Sequence, residues 1–426
     1  PYLDKDVKTG DGSLGIIEGH GSKLYWNGTQ QYRYCNRADD NGQVAFACAM
    51  TNRITGRSSD AIVASNLLDF LFYNSNVLSR GGDDPDNPCF GLMGWSDSEH
   101  SNHVYYGDDN ARAILGALGA TACLNIWNWD REILETILAN FRTTGKNGFR
   151  GSNIRAEALQ KNGWKHYWNG DIVNPHPHFE SWMWACYLWL YDKTGYEPLL
   201  EKSRNAIGMT MAAYPDRWFW TNGIQQERAR MILPLAWLVR VDDRPEHRKW
   251  LEMMVDELLK NQMPCGAIME QLGDATLGSY GKSTNQDYGT REATLVFQNG
   301  DSISDMLYTS NFAIFSLHEA ASVTRNPKHV EAVNKLAHFL IRIQVRSDRY
   351  EDLDGTWFRA FDFGKWDYWA SNADHGWGAW GTHTGWTQGT IVSTLGLISQ
   401  GQSYWDLTAG SKITTEMQFV LELMLG

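Results

Sequence analysis

Cysteine is scarce and poorly placed for chemistry: six residues in 426, with no Cys-x-x-Cys pair. Cys48, Cys123 and Cys186 fall inside apolar runs, where a thiol packs as a small hydrophobe. Structural zinc and a disulfide framework are therefore not expected. Positive charge is also short, with 38 Lys and Arg against 50 Asp and Glu and a formal charge of -12. Without a basic stripe, the counterion-release source of nucleic-acid affinity is missing, so nucleic acid is not an expected partner. No apolar run reaches the roughly 20 residues that span a bilayer; Gly, Pro or charge interrupts each one. Membrane insertion is not expected. The chain opens at Pro1 with neither an initiator Met nor an apolar leader. A trimmed leader, and with it a periplasmic or extracellular place, is the expectation.

What is abundant is aromatic. An apolar share of 42% and a charged share of 21% are ordinary for a globular protein, but 20 Trp and 40 Gly are not. Several of these indoles are expected to line something.

Helical segments of two kinds alternate along the chain. The stretch 108–126 carries charge only at Asp108, Asp109 and Arg112 and is small or apolar thereafter, the pattern of a helix buried on every side. The next, 129–143, sets Ile133, Leu134, Ile137, Leu138 and Phe141 on one stripe, so it packs by one face only. The same pairing recurs at 39–54 with 59–74, 178–191 with 198–213, 225–241 with 245–261, 304–323 with 327–345 and 384–399 with 412–424. Pro198 and Pro245 suit a first helical turn. Six buried and six amphipathic helices in alternation predict an all-α fold, an (α/α)6 barrel or six-hairpin toroid, with 1–426 as one catalytic domain.

The longer connections, 75–107, 145–177, 264–303 and 347–383, all run from an outer helix to the next inner one. They gather at one face, beside inner-helix N-termini whose free N–H groups carry partial positive charge. Polar residues at those termini are the site candidates: Asp39 and Asp40; Asp108, Asp109 and Arg112; His178 and Glu180; Glu227 and Arg228; Asp305, Tyr308 and Asn311; Thr384 and Trp386. Glycoside cleavage needs two carboxyl groups, one holding a proton for the leaving oxygen and one ionised. Asp109 is the expected acid, because the adjacent Asp108 favours retention of one proton between them. Glu180, close to Trp182 and Trp184, is the second choice, and Asp108 completes the catalytic set. His176 and His178 with Glu180 have a metal-like spacing, but Pro177 intervenes and no other His or Cys clusters nearby. No metal and no cofactor are expected. In 357–386, Trp357, Trp377, Trp380 and Trp386 are expected to stack on sugar faces while Asp374 and His375 bond the hydroxyl rim. Arg112, Arg228 and Arg359 near the mouth suit a carboxylate-bearing sugar such as a uronic acid.

The hairpin count resembles the six-hairpin glycosidase superfamily over nearly the whole chain. Within it, YGDDNAR (106–112), PHFESWMW (177–184) and DHGWGAWGTHTGW (374–386) resemble the β-glucuronidases of glycoside hydrolase family 154. That resemblance implies removal of terminal glucuronic acid from polysaccharide without a cofactor. Looser is the similarity to the unsaturated glucuronyl hydrolases, which hydrate an enol ether; Asp109 would be the counterpart of their helix-start Asp. Three other readings remain open. A polysaccharide lyase would cast His178, Tyr308, Asn311 and Arg228 around proton abstraction. An N-acylglucosamine-type epimerase would draw bases from His176, His178, His375 and His383. A carbohydrate-binding protein would keep the Trp without needing the acids.

Overall fold

Helix boundaries follow the local punctuation. Pro177, Pro198, Pro245 and Pro327 occupy first turns, where a missing N–H costs nothing. Gly56 and Gly195 close two helices in the left-handed conformation, φ 75° and 66°, as αL caps do. In the computed structural model, which describes residues 10–80, 82, 84–281, 292–369 and 378–426, the inner helices are α1 (Ala38–Thr55), α3 (Gly107–Leu124), α5 (Pro177–Thr194), α7 (Ile224–Val241), α9 (Asn311–Thr324) and α11 (Thr390–Ser399). Each packs on the next, and α11 returns to α1, which closes the ring. The outer helices α2 (Ser58–Asp69), α4 (Asp130–Arg142), α6 (Glu197–Ala213), α8 (Pro245–Leu259) and α10 (Pro327–Arg342) each pack on the inner helix before them. The protein is therefore an (α/α)6 barrel. Among the described residues, no helix is long and apolar enough to cross a membrane.

Small residues set the tightest crossing in the ring. A Cβ at Gly42 would lie 2.7 Å from the Ala113 carbonyl, and one at Gly116 would overlap the Gly42 backbone. Backbone cannot rotate away as a side chain can. Gly116→Ala is therefore expected to cost about 1–3 kcal/mol of stability through overpacking, read as a lowered urea midpoint.

The sixth hairpin departs from expectation. After α11 the chain does not return along the same hairpin; Tyr404 enters the ring instead, its hydroxyl bonding the Leu115 carbonyl at 2.6 Å and its ring lying against Phe46, Trp237 and Phe315. The final helix, α12 (Met417–Leu425), then packs on α4. An amphipathic stripe specifies that a helix has a buried face; it does not specify which neighbour buries it.

Short strands lead into several inner helices and frame the mouth. They are β1 (Ile17–Leu24), β2 (Gln30–Asn36), β3 (Val104–Tyr106), β4 (Asn153–Arg155), β5 (Ile303–Asp305), β6 (Ala360–Asp362) and β7 (Thr382–His383). β1 lies between β2 and β7, while β3 pairs with β4 and β5 with β6, all antiparallel. β5 and β7 do not pass directly into helix; π-wound turns, Met306–Ser310 and Thr384–Gly389, precede α9 and α11. The uninterrupted helices expected over 304–323 and 384–399 are shorter for that reason.

Candidate active site

At the mouth, the starts of α1, α3 and α5 meet the two π turns around a cavity of about 300 Å³. Asp108 and Asp109 of α3, His178 and Phe179 of α5, Tyr308 and Trp386 of the π turns, and Arg37 ahead of α1 all reach its wall. Trp95, Tyr106, Thr221, Ser279, Tyr280 and Glu292 complete the lining. π-winding adds a residue to a turn and re-aims its side chains. Here it sets Tyr308 and Trp386 edge to face, 5.2 Å between centroids.

A buried ion network holds the acids. Arg37, fully buried, donates to Glu18 Oε1 at 2.9 Å, Asp39 Oδ1 at 3.0 Å and Asp109 Oδ1 at 2.8 Å. Arg112 bonds Asp109 as well, and its Nη2 lies 3.0 Å from Asp39 Oδ2 and 3.2 Å from Asp108 Oδ2. Both guanidinia lie over the Trp386 indole, at 4.5 and 4.3 Å from its ring centre, a cation–π arrangement that fixes the aromatic wall to the acid cluster. Burial, then the neighbouring Asp108, outweighs Arg37 and pushes the Asp109 carboxyl up to about 8. Asp109 therefore holds a proton at neutral pH.

Asp108 sits differently. Its Oδ2 faces Arg112, His178 Nε2 at 3.5 Å and Arg230 Nη1 at 3.6 Å, while Oδ1 has no partner among the described residues. Burial, reinforced by Arg230 and His176, pulls His178 well below its usual range, so the imidazole is neutral. Its Nδ1 meets Gln226 Nε2 at 3.3 Å. Because the amide is a donor, Nδ1 accepts and Nε2 carries the hydrogen toward Asp108.

Several expected residues stand behind the wall. Glu227 accepts from the backbone N–H of His178 at 2.6 Å and of Thr221 at 3.0 Å, fixing the entry to α5. His176 bonds the Thr221 hydroxyl at 3.1 Å. Arg112 acts through the acids it binds, and Arg359 bonds Asp305 and Asn222 beneath Tyr308. Asp40 accepts from the Gly385 N–H at 3.0 Å and is held well above the usual carboxylate range by burial, then by Asp39.

Others lie away from the cavity. Glu180 accepts from the N–H groups of Arg150 (3.0 Å) and Gly151 (2.7 Å) and from Asn174 (3.0 Å). It is a fastening for the 150–151 turn and is absent from the cavity lining. Burial, only partly offset by those bonds, raises it to about 7. Glu180→Gln would set an amide N–H₂ against backbone donors. It is expected to cost about 1–3 kcal/mol of stability while leaving turnover per folded molecule within a few-fold; a large loss of kcat at unchanged melting temperature would instead make it catalytic. Arg228 bonds Tyr214, Gln225 and Gln271. Trp357 is a core side chain donating to the Leu340 carbonyl, and Trp380 packs edge-on to Phe358 and Trp369. Asp374, His375 and Trp377 lie outside the described residues.

Sequence reasoning passed over Arg37, although it directly precedes the Asp39–Asp40 helix start and obeys the same positional rule. Tyr106 and Phe179 were within the motifs that carry Asp108 and His178. Trp95, Ser279, Tyr280 and Glu292 gave no local signal beyond membership of the long mouth connections, and Thr221, in the short link before α7, gave none.

Fold and site together define a toroid of helical hairpins with an acid-lined mouth. No protein-family model matches the chain, and no curated protein matches it. Solved structures do share the barrel. A sugar epimerase from a ruminal bacterium is 11% identical at a TM-score of 0.57, over 92% of this chain and 95% of that one. The cellobiose 2-epimerase of Bacillus thermoamylovorans B4167 is 10% identical at 0.57, over 90% and 94%. The unsaturated glucuronyl hydrolase of Bacillus sp. GL1, responsible for glycosaminoglycan degradation, is 12% identical at 0.55, over 91% and 93%. At such identities the likeness is one of fold.

Proposed function

We propose that this chain is a carbohydrate-active enzyme, and specifically a glycoside hydrolase that removes a terminal sugar. The arrangement that carries the reading is the pair at the start of α3: Asp108 and Asp109 both line the cavity, and burial with the neighbouring Asp108 pushes the Asp109 carboxyl up to about 8. Asp109 delivers the proton to the leaving oxygen, and Asp108 takes one from the attacking water, the two tasks that glycoside cleavage divides between carboxyl groups. Trp95, Tyr106, Phe179 and Trp386 supply flat faces for a sugar ring. The barrels of the sugar epimerases and glucuronyl hydrolases support the substrate class.

A uronic acid, the sugar implied by the β-glucuronidase resemblance, would need a cation. Arg37 and Arg112 are already engaged by carboxylates, while Arg228 and Arg359 do not line the cavity. Among the described residues, each guanidinium on or behind the cavity wall already meets a carboxyl group, which supports a neutral terminal sugar over a uronate. Epimerisation is the second reading, supported by the sugar epimerase and cellobiose 2-epimerase that share the barrel.

Product analysis tests these together. The chain is incubated with 4-nitrophenyl β-glucoside, β-galactoside and β-glucuronide, with an unsaturated uronyl disaccharide, and with cellobiose. Release of nitrophenol with a saturated sugar is the expected result. Loss of the unsaturated absorbance alone would make it a hydratase-type enzyme, and conversion of cellobiose to its 2-epimer without cleavage would replace hydrolysis by epimerisation.

A further inference from the structure

Beside the acid-lined cavity lies a second hollow, an apolar trough of about 470 Å³. Val173 and Pro175 from the approach to α5, Met209 and Ala213 of α6, and Phe219 and Leu277 form its walls. Its one charged lining residue among those described, Arg217, has its Nη2 bonded to the Ala212 carbonyl at 3.2 Å. Val173 and Phe219 stand at 46% and 41% exposure. Large apolar groups gathered around a concavity mark a place where something apolar is received.

The same backbone builds the trough and the cavity. Segments 219–221 and 277–280 run side by side, with Trp220 N–H donating to the Leu277 carbonyl at 3.1 Å, Ser279 N–H to Trp220 at 2.8 Å and Tyr280 N–H to Thr221 at 3.2 Å. Phe219 and Leu277 line the trough, and two residues further on Thr221 and Ser279 line the cavity. These two hydrogen-bonded segments therefore carry the lining from trough to cavity. At the junction the Phe219 ring lies 6.1 Å from His176, which lies 4.7 Å from Phe179 of the cavity wall.

We infer that the trough is the leaving-group subsite of an amphiphilic glycoside: an alkyl or aryl aglycone lies along Phe219, Val173 and Leu277 while the terminal sugar occupies the cavity. A second sugar ring would need partners for its hydroxyl groups, and the trough offers a guanidinium already bonded to backbone; a hydrocarbon needs none. The assignment rests on the hydrolase reading of the cavity.

Calorimetric titration with octyl and methyl β-glucoside below the micelle concentration, repeated with octyl and methyl β-glucuronide, tests the subsite with a neutral and with an acidic sugar. In at least one series the octyl glycoside is expected to bind at least about tenfold more tightly. Phe219→Ser and Val173→Asp, each checked for an unchanged melting profile, are expected to cut that preference at least threefold. Equal affinities in both series, or a preference that neither folded variant moves, would overturn the assignment. Octyl preference without hydrolysis of any glycoside would sink the hydrolase reading alone and leave an apolar binding site.

Discussion

Replacing Asp109 with Asn is expected to lower kcat/KM for glycoside hydrolysis by about 10²–10⁴-fold, the usual worth of a positioned general acid, with sugar binding kept. Asn preserves an oxygen for Arg37 and Arg112 but has no proton to give. The wild-type rate is expected to hold below pH 8 and fall above it, because the carboxyl at about 8 must be protonated to act. In the Asn variant that limb should vanish from the residual activity. Stability carries a matching signature. The folded chain binds a proton at Asp109 that the unfolded chain loses near the ordinary value of 3.8, so this group's contribution falls as pH rises from about 4 to about 8. Asp109→Asn should therefore look relatively more stable at pH 8 than at pH 4. A variant with unchanged kcat/KM and an unchanged alkaline limb would remove Asp109 from the chemistry.

The other large effect is expected at Arg37. This guanidinium is fully buried, compensates Glu18 and Asp39 and donates a hydrogen bond to Asp109. Removing one partner of a buried ion cluster strands the others, which typically costs about 3–5 kcal/mol. Arg37→Met should show that loss as a lower denaturant midpoint; Arg37→Lys, which keeps charge but not the planar fork, should recover part of it. Glu18 gives an independent check. Burial alone would raise it, but Arg37 and Arg33 outweigh burial and bring it down from 4.5 to about 2. Its contribution is complete above pH 4.5 and is lost as pH falls toward 2. Without Arg37, the acid-induced part of that loss should begin at higher pH. An Arg37→Met variant as stable as the parent would mean that the cluster contributes no net stability.

The legible and illegible parts of the site divide by sequence distance. Asp108, Asp109 and His178 were recognisable because each sits at the start of a helix too apolar to face solvent, where a polar residue has to face the mouth. Glu180 met the same positional test and failed by rotation. Two residues past His178 on α5, its carboxyl turns to the N–H groups of Arg150 and Gly151, which lie 30 and 29 residues earlier and leave no local trace. Arg228 fails likewise, one residue beyond Glu227 and turned to Tyr214 and Gln271. Tyr308 and Trp386 were found by position, but the π turns that aim them have no periodic signature.

The barrel is written in the local pattern of the chain. Local patterning alone separates helices buried all round from helices buried on one face, and their alternation admits few closed packings, although it misplaced the last amphipathic helix, which packs on α4. It also determined where chemistry would gather, since helix direction decides at which end polar residues face a common mouth. Which carboxyl keeps its proton was settled by the folded arrangement. That choice depends on how far Asp109 is withdrawn from water among Arg37, Arg112, Asp39 and Asp108, a balance of opposing terms set by distances across three elements. The tertiary structure alone also laid an apolar trough against the acid cavity, by pairing 219–221 with 277–280. Nothing in either segment announces the other, because the pairing is made by backbone hydrogen bonds that any residues there could form.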